Sequence, residues 1–221
     1  MIRVLVCGYN CDKFIDRCLA SIDMQSNKDY EVRKSIVDDS NRIFLVENTV
    51  NLINSSPCDP EDILVCLDAD DFLIDEDAFK IISEEYAKNP NLLLTYGSYV
   101  NLSSNKRGKF CAPYDSEENV RKSEVWKGSH LKTFKYKLWQ QLSMDQLKDI
   151  DCSWFKYCAD RAMMIPMMEL AGHDRIKYIH TLLYGYNDTN PLGVWKNDKV
   201  ESLRVRSIIF RRNALERLKT I

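Results

Sequence analysis

Ile63-Leu64-Val65-Cys66-Leu67-Asp68-Ala69-Asp70-Asp71-Phe72-Leu73 is an apolar run that stops on three carboxylates, and the rest of the chain is organised around it. Residues 63 to 67 are β-branched or aliphatic without alternation, the pattern of a strand covered on both faces in a parallel or mixed sheet. Open α/β sheets place their ligands at the carboxyl ends of such strands. Asp68, Asp70 and Asp71 therefore stand where a site is expected. Side chains two apart on an extended backbone point the same way, so Asp68 and Asp70 can converge on one ligand. Like charges that close raise each other's pKa unless a cation neutralises them. Oxygen-only donors favour a hard ion, Mg2+ or Mn2+, and two carboxylates leave coordination positions for water and phosphate oxygens. The chemistry is that of a metal-diphosphate site. The plainer alternative is a solvated acidic turn capping the helix that Asp75-Glu76-Asp77 starts, since acids favour helix N-termini.

Outward from that strand the chain alternates strands and helices. Ile2 to Cys7 reads as a first strand, broken by Gly8-Tyr9-Asn10, and apolar spacing predicts a helix over 12–24. Gly8-Tyr9-Asn10 is either a simple turn or a loop presenting Tyr9 at the sheet's carboxyl edge, where its ring can stack on a base. Without further glycines or a Lys it is neither a dinucleotide-binding turn nor a P-loop. Tyr30 to Val37 is a second strand and also ends on acids, Asp38-Asp39. One of these accepts hydrogen bonds from a base or ribose, and the other caps the amphipathic helix predicted over 42–53. A helix over 77–88, ended by Asn89-Pro90-Asn91, and a strand over 92–96 complete a βαβαβαβ rhythm.

The second half reads less regularly. Residues 111–128 show no firm periodicity. Leu131, Phe134, Leu138 and Trp139 predict a helix over 130–142, with Lys132 and Lys135 either solvating its outer face or meeting phosphate. His130 at its start is either a structural hydrogen-bonder or part of an anion site at a helix N-terminus. An apolar helix is predicted over 154–171. It carries Asp160, which is either a general base held in a hydrophobic frame or an acid paired with a nearby cation. Short strands over 176–180 and 182–186 precede a polar loop, Asn187-Asp188-Thr189-Asn190-Pro191, placed to fold back over a ligand. A basic helix over 198–218 either docks on a membrane surface or is a solvated helix with its apolar face packed inward.

The 221 residues, 45% hydrophobic and 29% charged, can bury the core of one α/β domain. A net charge of -2 argues against nucleic acid as the main partner. No apolar run approaches the ~20 residues of a membrane span, and Met1-Ile2-Arg3 runs straight into a strand rather than a signal peptide. The expectation is a cytoplasmic protein. The eight cysteines form no C-x-x-C and fall within apolar segments, which predicts reduced, mostly buried thiols.

Val6-Cys7-Gly8-Tyr9-Asn10 after strand one, Val37-Asp38-Asp39-Ser40 after strand two, and Leu67-Asp68-Ala69-Asp70-Asp71-Phe72-Leu73 after the central strand, in that order, resemble family 2 glycosyltransferases of the GT-A fold. The resemblance extends through His130-Leu131-Lys132-Thr133-Phe134-Lys135 and residues 160–169, and covers nearly all of the chain. It implies an α/β fold with an open, mixed, mostly parallel sheet flanked by helices. Residues 1–100 would be the nucleotide-sugar-binding half of a single domain, and 101–221 the acceptor-side half with the C-terminal helix. The chain ends at Ile221 without a helix stop signal, so a longer parent protein is expected.

The resemblance also implies inverting transfer of a sugar from a UDP-sugar to a hydroxyl of a glycan or saccharide acceptor, with Mn2+ or Mg2+ on the diphosphate. Tyr9 and Asp38 or Asp39 would hold uracil and ribose, with Asp68 on the ribose or donor sugar and Asp70 on the metal. His130 and Lys132 would flank the nucleotide-sugar, and Asp160 would be the base. Two departures are visible: the base motif is Ala159-Asp160 rather than Glu-Asp, and a late metal-binding histidine is lacking, with His180 and Asn187 the candidates to replace it. Two alternative functions are carried: a non-catalytic nucleotide-sugar-binding or scaffold domain, and a nucleotidyltransferase, which normally needs a Gly-rich basic loop after strand one.

Overall fold

The computed structural model describes residues 1–123, 125–192 and 198–221. A six-stranded sheet is built from β1 (Ile2–Tyr9), β2 (Tyr30–Val37), β3 (Ile63–Asp68), β5 (Leu94–Gly97), β7 (Ser129–Lys135) and β8 (Ile176–Tyr178), in the order β2-β1-β3-β7-β5-β8. β7 runs antiparallel to both neighbours, and the other pairings are parallel. A small second sheet, β4-β9-β6, joins β4 (Phe72–Leu73), β9 (Tyr184–Tyr186) and β6 (Tyr99–Asn101). The expected open, mixed, mostly parallel sheet is present, with the apolar 63–68 strand inside it and its first five residues buried.

Helices cover both faces of the large sheet. Alternation along β1 and β3 sends Val4, Val6, Val65 and Leu67 to one face, where they meet Ile22 of α1 (Ile15–Asp23) and Phe79 and Ile82 of α3 (Ala78–Lys88). Leu5, Cys7, Leu64 and Cys66 face the other way. There they meet α2 (Leu45–Asn54), α4 (Tyr136–Gln140), α5 (Ala159–Ala171) and α6 (Lys199–Arg211). By the same parity Asp68 continues the Leu64–Cys66 row and projects toward α5. All eight cysteines are free thiols; Cys7, Cys11, Cys18 and Cys66 are buried and Cys152 is exposed. Among the described residues no helix is long and apolar enough to cross a membrane.

One element is corrected. The helix expected over 130–142 is instead the strand β7, followed by the short α4, and all seven residues of β7 are buried. Lys132 and Lys135 looked like the polar side of a helix because their counterions are distant in sequence. Lys132 pairs with Asp160, and Lys135 pairs with Glu61 at 2.6 Å. Thr133 bonds to Thr95 at 2.6 Å and to Tyr86 at 2.9 Å, so its polar group is satisfied inside the core. Several helices are also shorter than expected: the one expected over 12–24 is Ile15–Asp23, the one expected over 42–53 starts at Leu45, and α5 and α6 lose most. α5 starts only at Ala159, after Cys158 takes a left-handed φ of 57°. α6 ends at Arg211, and Arg212 turns extended to donate to the Asp145 and Lys148 carbonyls.

The aperiodic 111–128 segment is held by a buried ion pair rather than by a pattern. Arg121 donates from Nε to Glu169 Oε1 at 2.7 Å and from Nη2 to Oε2 at 2.5 Å, and its Nη1 reaches the Ile209 carbonyl at 2.8 Å. The side chains are 2% and 8% exposed, so removing one partner strands a charge in the core. Glu169→Gln is expected to destabilise by ~3–5 kcal/mol in urea unfolding. A loss below ~1 kcal/mol would show that the pair does not hold this segment in place.

Candidate active site

The three acids of the opening stretch have separate fates. Asp71 is buried and accepts from Tyr184 Oη at 2.6 Å and from the Asn187 backbone N–H at 2.7 Å. Burial, then the charges of Asp68 and Asp70, push its carboxyl well above the usual range. The Tyr184 hydroxyl in turn accepts from the Asp68 backbone N–H at 3.3 Å, so Asp71 ties the end of β3 to β9 and the loop after it. Asp70 is half-buried; its Oδ2 accepts from Asn190 Nδ2 at 2.7 Å, and its carbonyl accepts from Arg17 at 2.9 Å. The polar 187–191 loop thus folds back onto the acidic turn. A close backbone approach supports the turn from below: a Cβ at Gly8 would lie 2.6 Å from the Ala69 Cβ, so only glycine lets the two loops nest.

Asp68 and Asp160 meet across one lysine. Lys132 sits opposite Cys66 in the β3–β7 register, so its side chain rises on the face that α5 covers. Its ammonium, 2% exposed, donates to Asp160 Oδ1 in the first turn of α5. Burial opposes its charge, but Asp160 and then Asp68 outweigh that and raise its pKa. Burial pushes the Asp68 carboxyl up to about 7, with Lys132 pulling down and Asp160 and Asp70 pushing further up. Burial also opposes ionisation of Asp160, yet the Lys132 charge leaves it below the ordinary carboxylate range. The Asp160 side chain is 36% exposed, whereas that of Lys132 is 2% exposed.

His130 lies under this edge, 6% exposed, stacked on Tyr184 with ring centroids 4.3 Å apart. Burial, with the Lys132 charge, lowers its pKa to about 3, so the ring is neutral. Tyr9, Asp38 and Asp39 gather at the neighbouring edge. The register sets Cys7 beside Asp68, which brings Tyr9 two residues beyond it, and Tyr9 Oη donates to Asp39. Asp38 accepts from Ser40 Oγ and its N–H, closing its own turn.

Four further residues were not singled out from the sequence. Arg42 stacks on the Tyr9 ring at 4.4 Å, Arg17 lies over Phe72 at 4.3 Å while holding the Asp70 carbonyl, and Asn190 and Tyr184 have the roles described above. Only the polarity of the 187–191 loop signalled any of them. Of the two residues weighed for a late metal ligand, Asn187 is 3% exposed and engaged through its backbone with Asp71, whereas His180 is exposed and packs edge-on against Tyr178.

Among the described residues no three His, Cys, Asp or Glu side chains form a metal-holding group by themselves. Asp68 and Asp70 supply two hard oxygen donors, with Lys132 and Arg17 as neighbouring cations. That suits Mg2+ or Mn2+ when a diphosphate completes the coordination.

No protein-family model and no curated protein sequence matches the chain. Solved structures do resemble it. S. aureus TarS 1-349 in complex with UDP-GlcNAc is similar at a TM-score of 0.68 and 13% identity, over 97% of this chain and 68% of that one. A longer S. aureus TarS chain is similar at 0.63 and 14% identity, and this chain spans 40% of its length. The mannosyltransferase PcManGT from Pyrobaculum calidifontis, in complex with GDP-Man and Mn2+, is similar at 0.61 and 16% identity, over 97% of this chain and 65% of that one. The likeness establishes the fold, an α/β sheet architecture of the GT-A type.

Proposed function

We propose that the chain is an inverting glycosyltransferase that moves a sugar from a UDP-sugar to a hydroxyl of a glycan or saccharide acceptor. The observation that carries this reading is the approach of Asp160, from α5, to the β3 edge that presents Asp68 and Asp70. Structurally similar proteins have been solved with UDP-GlcNAc, or with GDP-Man and Mn2+, which supports a nucleotide-sugar as the donor. Tyr9, backed by Arg42, offers a ring for the base, and Asp39 or Asp38 accepts from base or ribose. Asp68 and Asp70 would hold the divalent cation, which stabilises negative charge developing on the departing diphosphate. Asp160 takes the proton of the acceptor hydroxyl as it attacks the opposite face of the sugar. Lys132 orients that carboxylate, and buried His130 supports the Tyr184 ring beneath the acidic turn.

One observation favours a second reading. A carboxylate paired with a buried ammonium is a weak proton acceptor, which fits a nucleotide-sugar-binding domain that does not turn over. Nothing comparable favours a nucleotidyltransferase. Incubation with UDP-sugars, Mn2+ and a panel of saccharides, followed by measurement of released UDP, separates the two readings. Release from at least one donor, tenfold or more above the no-enzyme rate, is expected. Folded protein that neither binds UDP, GDP or dTDP nor releases them would leave the transferase reading without support.

A further inference from the structure

The small sheet begins where the acidic turn ends, at Phe72, and gathers three tyrosines on one face. Tyr184 and Tyr186 stand two apart on β9, and the register sets Tyr99 of β6 beside Tyr184, so all three project to the same side. Phe72, opposite Gly185, takes the other side, where Arg17 lies over its ring. Buried His130 lies against the tyrosine face. Its ring stacks on Tyr184 and, at 6.1 Å, on Tyr186, and it meets Tyr99 edge-on at 5.9 Å. Its Nδ1 is closed to solvent and bonds to no described residue, so ring contacts hold it in place. Tyr99 and Tyr186 pack on each other at 5.1 Å, and both are partly exposed. Tyr184 commits its hydroxyl to Asp71 and to the Asp68 N–H. Neither of the other two phenols is hydrogen-bonded to a described residue, and neither is closed to solvent. Two open phenol groups on an aromatic face are thereby left beside the acids.

In the proposed reaction the transferred sugar is joined to a diphosphate at Asp68 and Asp70 and is attacked by a hydroxyl whose proton goes to Asp160. Its ring must lie between these groups. Tyr184, next to both open tyrosines on the sheet face, is bonded to Asp68 and Asp71, which sets the row against the acidic turn. Burial raises the Tyr186 pKa, and Asp71, Asp68 and Asp70 raise it further. Burial also raises that of Tyr99, followed by Cys111, Asp188, Asp160 and Asp71. Tyr186 thus feels the diphosphate end of the site and Tyr99 the base. We propose that Tyr99 and Tyr186 seat the transferred sugar, a pyranose whose C–H face packs on the Tyr186 ring and whose hydroxyls bond to the two phenols. Tyrosine suits such a ligand because it joins an apolar ring to a polar tip. The nucleotide base has its own ring, Tyr9 backed by Arg42, at the β1–β2 edge. The inference rests on the transferase reading and adds to it the residues that tell one donor sugar from another.

The test is calorimetric titration of UDP, UDP-glucose, UDP-galactose and UDP-N-acetylglucosamine into the full chain with Mn2+. Tyr186→Leu is expected to weaken at least one of the three sugar nucleotides tenfold or more, while affinity for UDP itself stays within a few-fold of wild type. The double change Tyr99→Phe/Tyr186→Phe keeps both rings and removes both phenol oxygens. It should weaken the same sugar nucleotide severalfold, and it serves if the leucine variant does not fold. Unchanged affinity for all three sugar nucleotides in either variant overturns the proposal. Loss of UDP affinity by the same factor as the sugar nucleotides overturns it too, because the rings would then hold the base rather than the sugar. If wild type binds neither UDP nor any of the three, the transferase reading fails and the proposal falls with it; UDP binding by wild type keeps the two failures apart.

Discussion

Asp70→Ala is expected to lose Mn2+-dependent UDP binding by at least ~100-fold, which is about 2.8 kcal/mol. Asp70 is one of two hard donors at the β3 edge, and a cation there would have few protein ligands to spare. The fold should survive the change. Among the described residues the Asp70 carboxylate is reached only by Asn190, and the hydrogen bond that holds its backbone runs from Arg17 to the carbonyl. Calorimetric titration of UDP with Mn2+, then with EDTA, on wild type and variant reads the effect directly. Wild type should lose most of its affinity in EDTA, and the variant should look alike in both buffers. An Asp70→Ala protein that binds UDP as tightly as wild type, with the same metal dependence, would remove the diphosphate from the carboxyl end of β3. Asp71 provides the contrast: its carboxylate is locked between Tyr184 and the Asn187 backbone, so its loss should show first as a lower melting temperature.

The contrast between Asp70 and Asp71 also marks how far the sequence could be read. Neighbouring acids look alike in a string, and what separates them is Tyr184 and Asn187, more than a hundred residues away. Local pattern was sufficient where burial is set by the strand itself. Tyr30–Val37 is a strand with the bounds its composition suggested, and the 63–68 strand is buried on both faces as its lack of alternation required. Pattern misled where a charge is buried by a distant partner. Lys132 and Lys135 gave 130–142 a helical polarity that vanishes once Asp160 and Glu61 are brought against them. Arg42 and Arg17 were invisible for the same reason, since each acts through a contact made only in the folded chain, whereas the polarity of the 187–191 loop had already pointed to the neighbourhood of Asn190. The acids at the ends of β2 and β3 were legible as strand-end acids because each group follows directly on its strand in the sequence.

Asp160→Asn is expected to lower sugar transfer by ~10²–10⁴-fold, the range for loss of a positioned base, while UDP affinity in Mn2+ stays within a few-fold of wild type. Loss of activity alone would not prove the role, because Asp160 is also the contact counterion of Lys132. Removing one member of a fully enclosed pair costs ~3–5 kcal/mol. The cost here should be smaller, since the Asp160 side chain is 36% exposed and Asp68 still faces the ammonium. The single variant should therefore melt lower than wild type as well as turn over more slowly. Lys132→Met in the same chain separates the two effects. With both charges gone, no stranded ammonium remains in the sheet face, and stability should return toward wild type. Transfer should not return, because no group is left to take the hydroxyl proton. Recovery of transfer along with stability in the Lys132→Met/Asp160→Asn protein would make Asp160 a structural counterion and move the base elsewhere. A stable double variant that still binds UDP and does not turn over would leave proton removal as the one function lost.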